Sequence, residues 1–126
     1  MWYQKEIIIK NKSRGFHLIT DEIIQNFKEL NKVSIGMLYL FIKHTSASLT
    51  INENYSQQVR NDFENHFNKI VPDGAKHFTH LEEGPDDMSA HIKSSILGNT
   101  LTIPISNGDL NLGTWQGIYL FLCSHK

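Results

Sequence analysis

Ile35-Gly-Met-Leu-Tyr-Leu-Phe-Ile42 is the longest apolar stretch of the sequence, and its reading decides the fold. It is too short to cross a bilayer as a helix. Apolar side chains occupy both alternating faces, which predicts a central strand covered from both sides. On its N-terminal side, Thr20 precedes Asp21-Glu22 and then Ile23, Ile24, Phe27 and Leu30. An N-cap, an acidic first turn and an apolar stripe predict a helix over about 20–30. Residues 2–9 mix aromatic, charged and β-branched residues and end in Ile7-Ile8-Ile9, which predicts a first strand.

On the C-terminal side, the polar segment His44-Thr-Ser-Ala-Ser48 gives way to Leu49-Thr-Ile51, which resumes strand character. Tyr55, Val59, Phe63 and Phe67 recur every four residues. They define one side of a helix over about 54–69, which Pro72-Asp73-Gly74 ends. Residues 76–81 are expected as a short strand and the acidic 82–87 as a loop. Asp86 or Asp87 then caps a third helix carrying Ala90, Ile92, Ile96 and Leu97, closed by Gly98. Residues 100–105, the turn Asn107-Gly108 and an apolar strand over 117–123 form a hairpin-rich end.

The 126 residues have room for one domain with a single core. Hydrophobic residues at 40% and charged residues at 20% are ordinary globular usage, which argues against disorder. Twelve Lys plus Arg against thirteen Asp plus Glu leave no cationic surplus for a phosphate backbone, so nucleic-acid binding is not expected. The lone Cys123 excludes an intramolecular disulfide and fits a reducing compartment, with a buried strand position as its plain role. Residues 1–10 lack the charged-then-apolar pattern of a signal peptide, so the expected location is cytoplasmic, with no membrane partner.

Seven histidines are a high count for this length, and imidazole is both the commonest metal ligand and the side chain that titrates nearest neutrality. His44 follows the apolar strand, His80 precedes the acidic loop, and His91 lies in the third helix; His17, His66, His77 and His125 read as peripheral. No His-x-x-x-His or Cys-x-x-Cys pattern is present, so spacing alone favours a solvated or hydrogen-bonded role for each histidine. Glu82, Glu83, Asp86 and Asp87 suit a hard cation such as Mg²⁺, or else a helix N-terminus. Asp87 and His91 are four apart and share a helix face. Arg60 and Glu64 read as a solvated i, i+4 pair. Gly113-Thr-Trp-Gln-Gly117 places Trp115 and Gln116 between two glycines, either as a flat wall for a ring-shaped ligand or as ordinary packing.

Three segments, His44-Thr-Ser-Ala-Ser-Leu-Thr-Ile-Asn-Glu-Asn54, Glu83-Gly-Pro-Asp-Asp-Met-Ser-Ala-His91 with Ser94-Ser-Ile-Leu-Gly98, and Asn111-Leu-Gly-Thr-Trp-Gln-Gly-Ile-Tyr119, together resemble the YjbQ-like family, also called the secondary thiamine-phosphate synthase family. The opening Met1-Trp-Tyr-Gln and Arg14-Gly-Phe-His-Leu-Ile-Thr20 extend the likeness over nearly the whole chain. The resemblance implies an α+β fold, with antiparallel sheets in a sandwich-like core and about three helices in one domain. It also implies a homotrimer with sites near subunit contacts. It singles out His44, His80 and His91 as metal ligands, Glu53 and Asp62 as catalytic carboxylates, and Trp115 and Gln116, with Lys93 nearby, for a small-molecule substrate. Two departures stand out. Relatives usually read Cys-Glu-His-Arg where this chain has Cys123-Ser-His-Lys126, and they continue into a further strand.

The activity the resemblance implies joins a pyrimidine-methyl pyrophosphate to a thiazole phosphate with release of pyrophosphate, assisted by Mg²⁺ and basic side chains. Lys43, Arg60 and Lys93 are the basic residues near the matched motifs. Three histidines suit Zn²⁺ better than Mg²⁺. Two rival readings follow: a metal-dependent hydrolase using activated water, with Glu53 or Asp62 as general base, and a non-enzymatic metal- or metabolite-binding trimer.

Overall fold

The computed structural model describes residues 1–124. Among these described residues, six strands and three α-helices follow in the order β1 (Gly15–Leu18), α1 (Thr20–Asn26), a 3₁₀ turn (Lys28–Lys32), β2 (Ile35–Phe41), β3 (Ala47–Glu53), α2 (Gln57–Ile70), α3 (Asp87–Leu97), β4 (Thr100–Ser106), β5 (Asp109–Leu110) and β6 (Gln116–Leu122). They form two antiparallel three-stranded sheets, β1-β6-β3 and β2-β4-β5, so the α+β class with antiparallel sheets holds.

Three layers result. Leu38, Ile103 and Ile105 of the second sheet pack against Ala47, Leu49, Ile118 and Leu120 of the first, with Ile19, Ile23 and Leu30 closing the end. The opposite face of the first sheet presents Phe16, Tyr119, Phe121 and Cys123 to Ala90 and Leu97 of α3 and to Phe63 and Phe67 of α2. Phe16 stacks on Phe121 with ring centroids 3.9 Å apart. The strand covered on both faces is therefore β6, whose residues 117–121 are all buried.

The apolar stretch of residues 35–42 does not occupy that place. As β2 it lies at the edge of the outer sheet, and only its even-numbered side chains face the core. Ile35, Met37, Tyr39 and Phe41 are 90%, 64%, 63% and 58% exposed. Apolar content on both faces says that both dislike water; it does not say that this chain covers both.

Other expectations are corrected as well. Residues 1–13 carry no assigned strand, although Ile7 and Ile9 pack on the core, and β1 begins only at Gly15. Residues 76–81 form turns and coil. The first helix ends at Asn26 before a 3₁₀ turn, and Ile19 precedes it, because the Thr20 hydroxyl accepts the Ile118 N–H at 2.9 Å. The second helix begins at Gln57, where the Ser56 hydroxyl accepts the Gln58 N–H, so Tyr55 lies outside it. The third helix runs from Asp87 to a Gly98 with φ of 98°, a conformation that favours glycine.

Candidate metal centre and the two ends of strand three

The first turn of α3 puts Asp87 and His91 on one face, and the loop before it returns His80 to the same point. Asp87 is 3% exposed, and its Oδ2 lies 2.8 Å from His80 Nε2 and 2.9 Å from His91 Nε2. The two imidazole rings meet edge to face with centroids 5.4 Å apart. Among the described residues this is the group of three donors within 4.8 Å of one another.

The tautomer of His91 gives the site its character. Its Nδ1 lies 2.9 Å from the Thr45 carbonyl oxygen, so Nδ1 carries a proton and donates it. In a neutral ring Nε2 then holds a lone pair, which faces a carboxylate oxygen at 2.9 Å. Two lone pairs cannot sit there unbridged; a second proton or a cation must lie between them. Two imidazole nitrogens and a carboxylate oxygen, reached by solvent through the exposed His80, form a donor set that fits a borderline divalent ion.

His44 precedes Thr45, the residue whose carbonyl holds His91. Its Nδ1 accepts the Ser46 N–H at 3.0 Å, which spends that lone pair and leaves Nε2 to carry the proton of a neutral ring. The donors that converge are thus two of the expected histidines and Asp87. Proximity along a helix could have pointed to Asp87, which the i, i+4 spacing to His91 marks as sharing a face.

The other residues singled out lie elsewhere. Glu53 ends β3, pairs in register with Gln116 and stands next to Asn54, whose N–H donates to the Trp115 carbonyl. His44 and Thr45 precede the start of β3, and a strand of seven residues spans about 20 Å, so one chain does not bring Glu53, Trp115 and Gln116 to the histidines. Asp62 is exposed on α2, in a shallow groove with Val59, Asn65 and His66.

The far end of β3 has its own construction. Gln116 Oε1 accepts the Gly113 N–H at 2.8 Å, and the Asn54 amide donates to the Thr114 and Gln116 carbonyls at 3.2 and 3.1 Å. That pinned turn holds Trp115 out to solvent, where Tyr55 meets it edge to face at 5.7 Å. Tyr55, assigned to the helix stripe by its spacing, is thus a surface aromatic of this corner. Glu53 Oε1 accepts the Ser56 N–H, while its Oε2 is buried with no partner among the described residues.

Two of the three basic residues near the matched motifs are committed internally, whereas Lys43 is exposed and lies 3.3 Å from Glu6. Lys93 is fully buried and its ammonium donates to Asn68 Oδ1 at 2.6 Å, so it is not placed to meet a substrate; burial pushes its pKa down, and the Arg14 charge adds to this. Arg60 donates to the Tyr119 hydroxyl, Gln57 and the Asn54 carbonyl rather than to Glu64, which lies 3.7 Å from Arg14 instead. Of the ending that departs from the relatives' pattern, His125 and Lys126 lie outside the described residues.

A family model described as UPF0047 protein YjbQ-like matches residues 5–125. The chain is similar to the UPF0047 protein YjbQ of Escherichia coli O157:H7, 52% identical over 120 residues that cover 95% of this chain and 86% of that protein. It is also 42% identical over 109 residues to a UPF0047 protein of Methanocaldococcus jannaschii, covering 86% of this chain and 75% of that one. Among solved structures, an uncharacterized conserved YjbQ/UPF0047 protein from Clostridium acetobutylicum superposes with a TM-score of 0.77 at 38% identity, over 88% of this chain and 83% of that one. A conserved hypothetical protein from Thermus thermophilus gives a TM-score of 0.79 at 29% identity, over 91% and 86%. Matched along nearly its whole length in sequence and in backbone, the chain belongs to the YjbQ-like family, UPF0047.

Proposed function

We propose that this chain is a divalent-metal enzyme acting on a small molecule, with His80, Asp87 and His91 as the metal ligands and Zn²⁺ as the metal. The observation that carries the proposal is the lone pair of His91 Nε2 held against Asp87 Oδ2 at 2.9 Å while Nδ1 is committed to Thr45. Nitrogen-rich ligation favours zinc over magnesium. A divalent ion there would supply Lewis acidity and lower the pKa of nearby water. The Thr45 carbonyl orients the His91 ring, and His44, exposed and next to Thr45 in the chain, is available to an incoming substrate.

Hydrolysis of a small ester or phosphoester is the reaction this site supports best, because Lys93 and Arg60, two of the cations a pyrophosphate leaving group would need, are engaged within the protein. The exposed Trp115 and Tyr55 corner favours a second reading, the thiamine-phosphate synthase-like transfer, in which a flat heteroaromatic ring is held there. We also propose that copies of the chain associate through the exposed side chains of β2, forming a homotrimer. Phe41 ends that face three residues before His44, so a docked copy would border the metal centre and could bring its own Glu53 and Trp115 to it. A reducing, cytoplasmic setting suits the buried free thiol of Cys123.

Elemental analysis of zinc-incubated wild type beside His80→Ala, His91→Ala, Asp87→Ala and His44→Ala variants tests the ligand set. Zinc is expected to be lost from the first three and kept in the last; a zinc-free wild type defeats the proposal. Zinc affinity should fall on acidification, because protons compete with the metal for imidazole nitrogen. A panel of esters, phosphoesters and thiamine precursors, with pyrophosphate release followed, separates hydrolysis from transfer. Metal binding without turnover of any of them would point to a binding trimer instead.

A further inference from the structure

Helix α3 has two polar faces, and only one belongs to the metal centre. Asp87 and His91 share one face, whereas Asp86, Ser89 and Lys93 lie on a second, inward one, about half a turn round. That inner face enters a network of charged and polar side chains centred on Arg14, whose side chain is 11% exposed. Arg14 Nη1 donates to Asp73 Oδ2 at 3.0 Å and lies 3.5 Å from Asp86 Oδ2; Nη2 donates to Asn68 Oδ1 at 2.9 Å, and Nε is 3.7 Å from Glu64 Oε1. The Ser89 hydroxyl contacts both Asp73 Oδ1 and the Asp86 carbonyl, and Lys93 donates to the same Asn68 oxygen as Arg14. The Gly74 N–H donates to the Pro85 carbonyl, closing the loop that delivers His80.

We infer that Arg14, on the segment before β1, is a positioning residue for the metal centre. This rests on the metal reading above. One guanidinium grips side chains from α2, from the 72–74 loop and from the residue next to Asp87, so it sets where the first turn of α3 begins. Asp87 must hold two imidazole nitrogens within 3 Å, and a small shift of that turn breaks at least one of these contacts. Lysine cannot replace the fork, because a single ammonium cannot reach acceptors spread around a plane. Groups that orient metal ligands typically change metal affinity about 10–100-fold when removed.

The test is zinc competition against a chromophoric chelator, with thermal melting in parallel, for wild type, Arg14→Gln, Arg14→Lys, Asp73→Asn and the core control Ile103→Val. Arg14→Gln should weaken zinc binding at least about tenfold, with partial recovery in Arg14→Lys, whereas Ile103→Val lowers the melting temperature without moving the zinc affinity. A lowered melting temperature with unchanged affinity in Arg14→Gln makes Arg14 merely structural and overturns the inference. Should that variant not fold, Arg14→Lys and Asp73→Asn carry the same comparison. If wild type binds no zinc, the metal reading falls but the positioning claim is still decided by ¹⁵N NMR of the apo protein. The ring N–H protons of His80 and His91 should lose their protection from exchange in the Arg14 variants and keep it in Ile103→Val, and unchanged protection refutes the claim.

Discussion

Replacing Met37 and Tyr39 together by lysine should turn an assembled protein into a monomer that still folds. Both side chains lie on the uncovered face of β2, so lysine there meets water in the single chain and suits an edge strand. The exposures of Ile35, Met37, Tyr39 and Phe41 together equal just under three fully exposed side chains. Burying them is worth about 4–8 kcal/mol per copy at about 1.5–3 kcal/mol per side chain. Association costs an amount of the same order, so on the proposed assembly the loss of this face should tip the balance to separate chains. Met37 and Tyr39 supply nearly half of that exposed surface, about 2–4 kcal/mol, which weakens each contact by about 30-fold to 1000-fold before charge repulsion is added. Light scattering across a micromolar dilution series should give a trimer mass for wild type and a monomer mass for the double variant, with little change in the circular dichroism spectrum. A monomeric wild type, or a double variant that remains trimeric, refutes the assignment of this face.

Burial pushes the Cys123 thiol up from its usual value to about 12, so the native protein should resist thiol reagents at pH 8 and react on unfolding. Because the unfolded chain loses that proton first as pH rises through about 9, this group removes stability between about pH 9 and its folded value, a fall absent from Cys123→Ala when melting is followed against pH. Tyr119→Phe deletes a hydroxyl that donates to the Glu53 carbonyl at 2.5 Å and accepts from Arg60 Nε at 2.9 Å; urea denaturation should register a loss of about 1–3 kcal/mol. Gly117→Ala would set a Cβ 2.6 Å from Leu18 and 3.0 Å from Asn54, and the same assay should read about 1–3 kcal/mol of destabilisation. A change near zero in either variant would mean that the strand end relaxes freely.

The third helix and its glycine stop were legible because their causes are local: acidic residues at the start, apolar side chains at helical spacing, and a glycine where φ is positive. The pairing of Asp87 with His91 was legible for the same reason, since four residues on a helix return to one face. His80 and His91 were singled out by the likeness to relatives, not by spacing, and they stand 11 positions apart in sequence. Their meeting at Asp87 depends on how the loop of residues 71–86 folds back, which the Gly74–Pro85 hydrogen bond and the Arg14 contacts decide.

What the sequence alone determined is which side chains avoid water and where the chain turns, because those depend on each residue and its near neighbours. It marked two strongly apolar strands, residues 35–42 and 117–123, but its reading of the first as the central, doubly covered one did not hold. Only the tertiary structure decided that β6 lies between two layers while β2 lies at an edge with one face bare. The same holds for the division of the site. Glu53, Trp115 and Gln116 sit about 20 Å along β3 from the histidines, because a regular strand keeps its two ends apart whatever chemistry they carry. Burial of Lys93 and the loss of Arg60 to Tyr119 were equally beyond a linear reading, since a charged side chain is drawn inside only by partners that the fold supplies from distant elements.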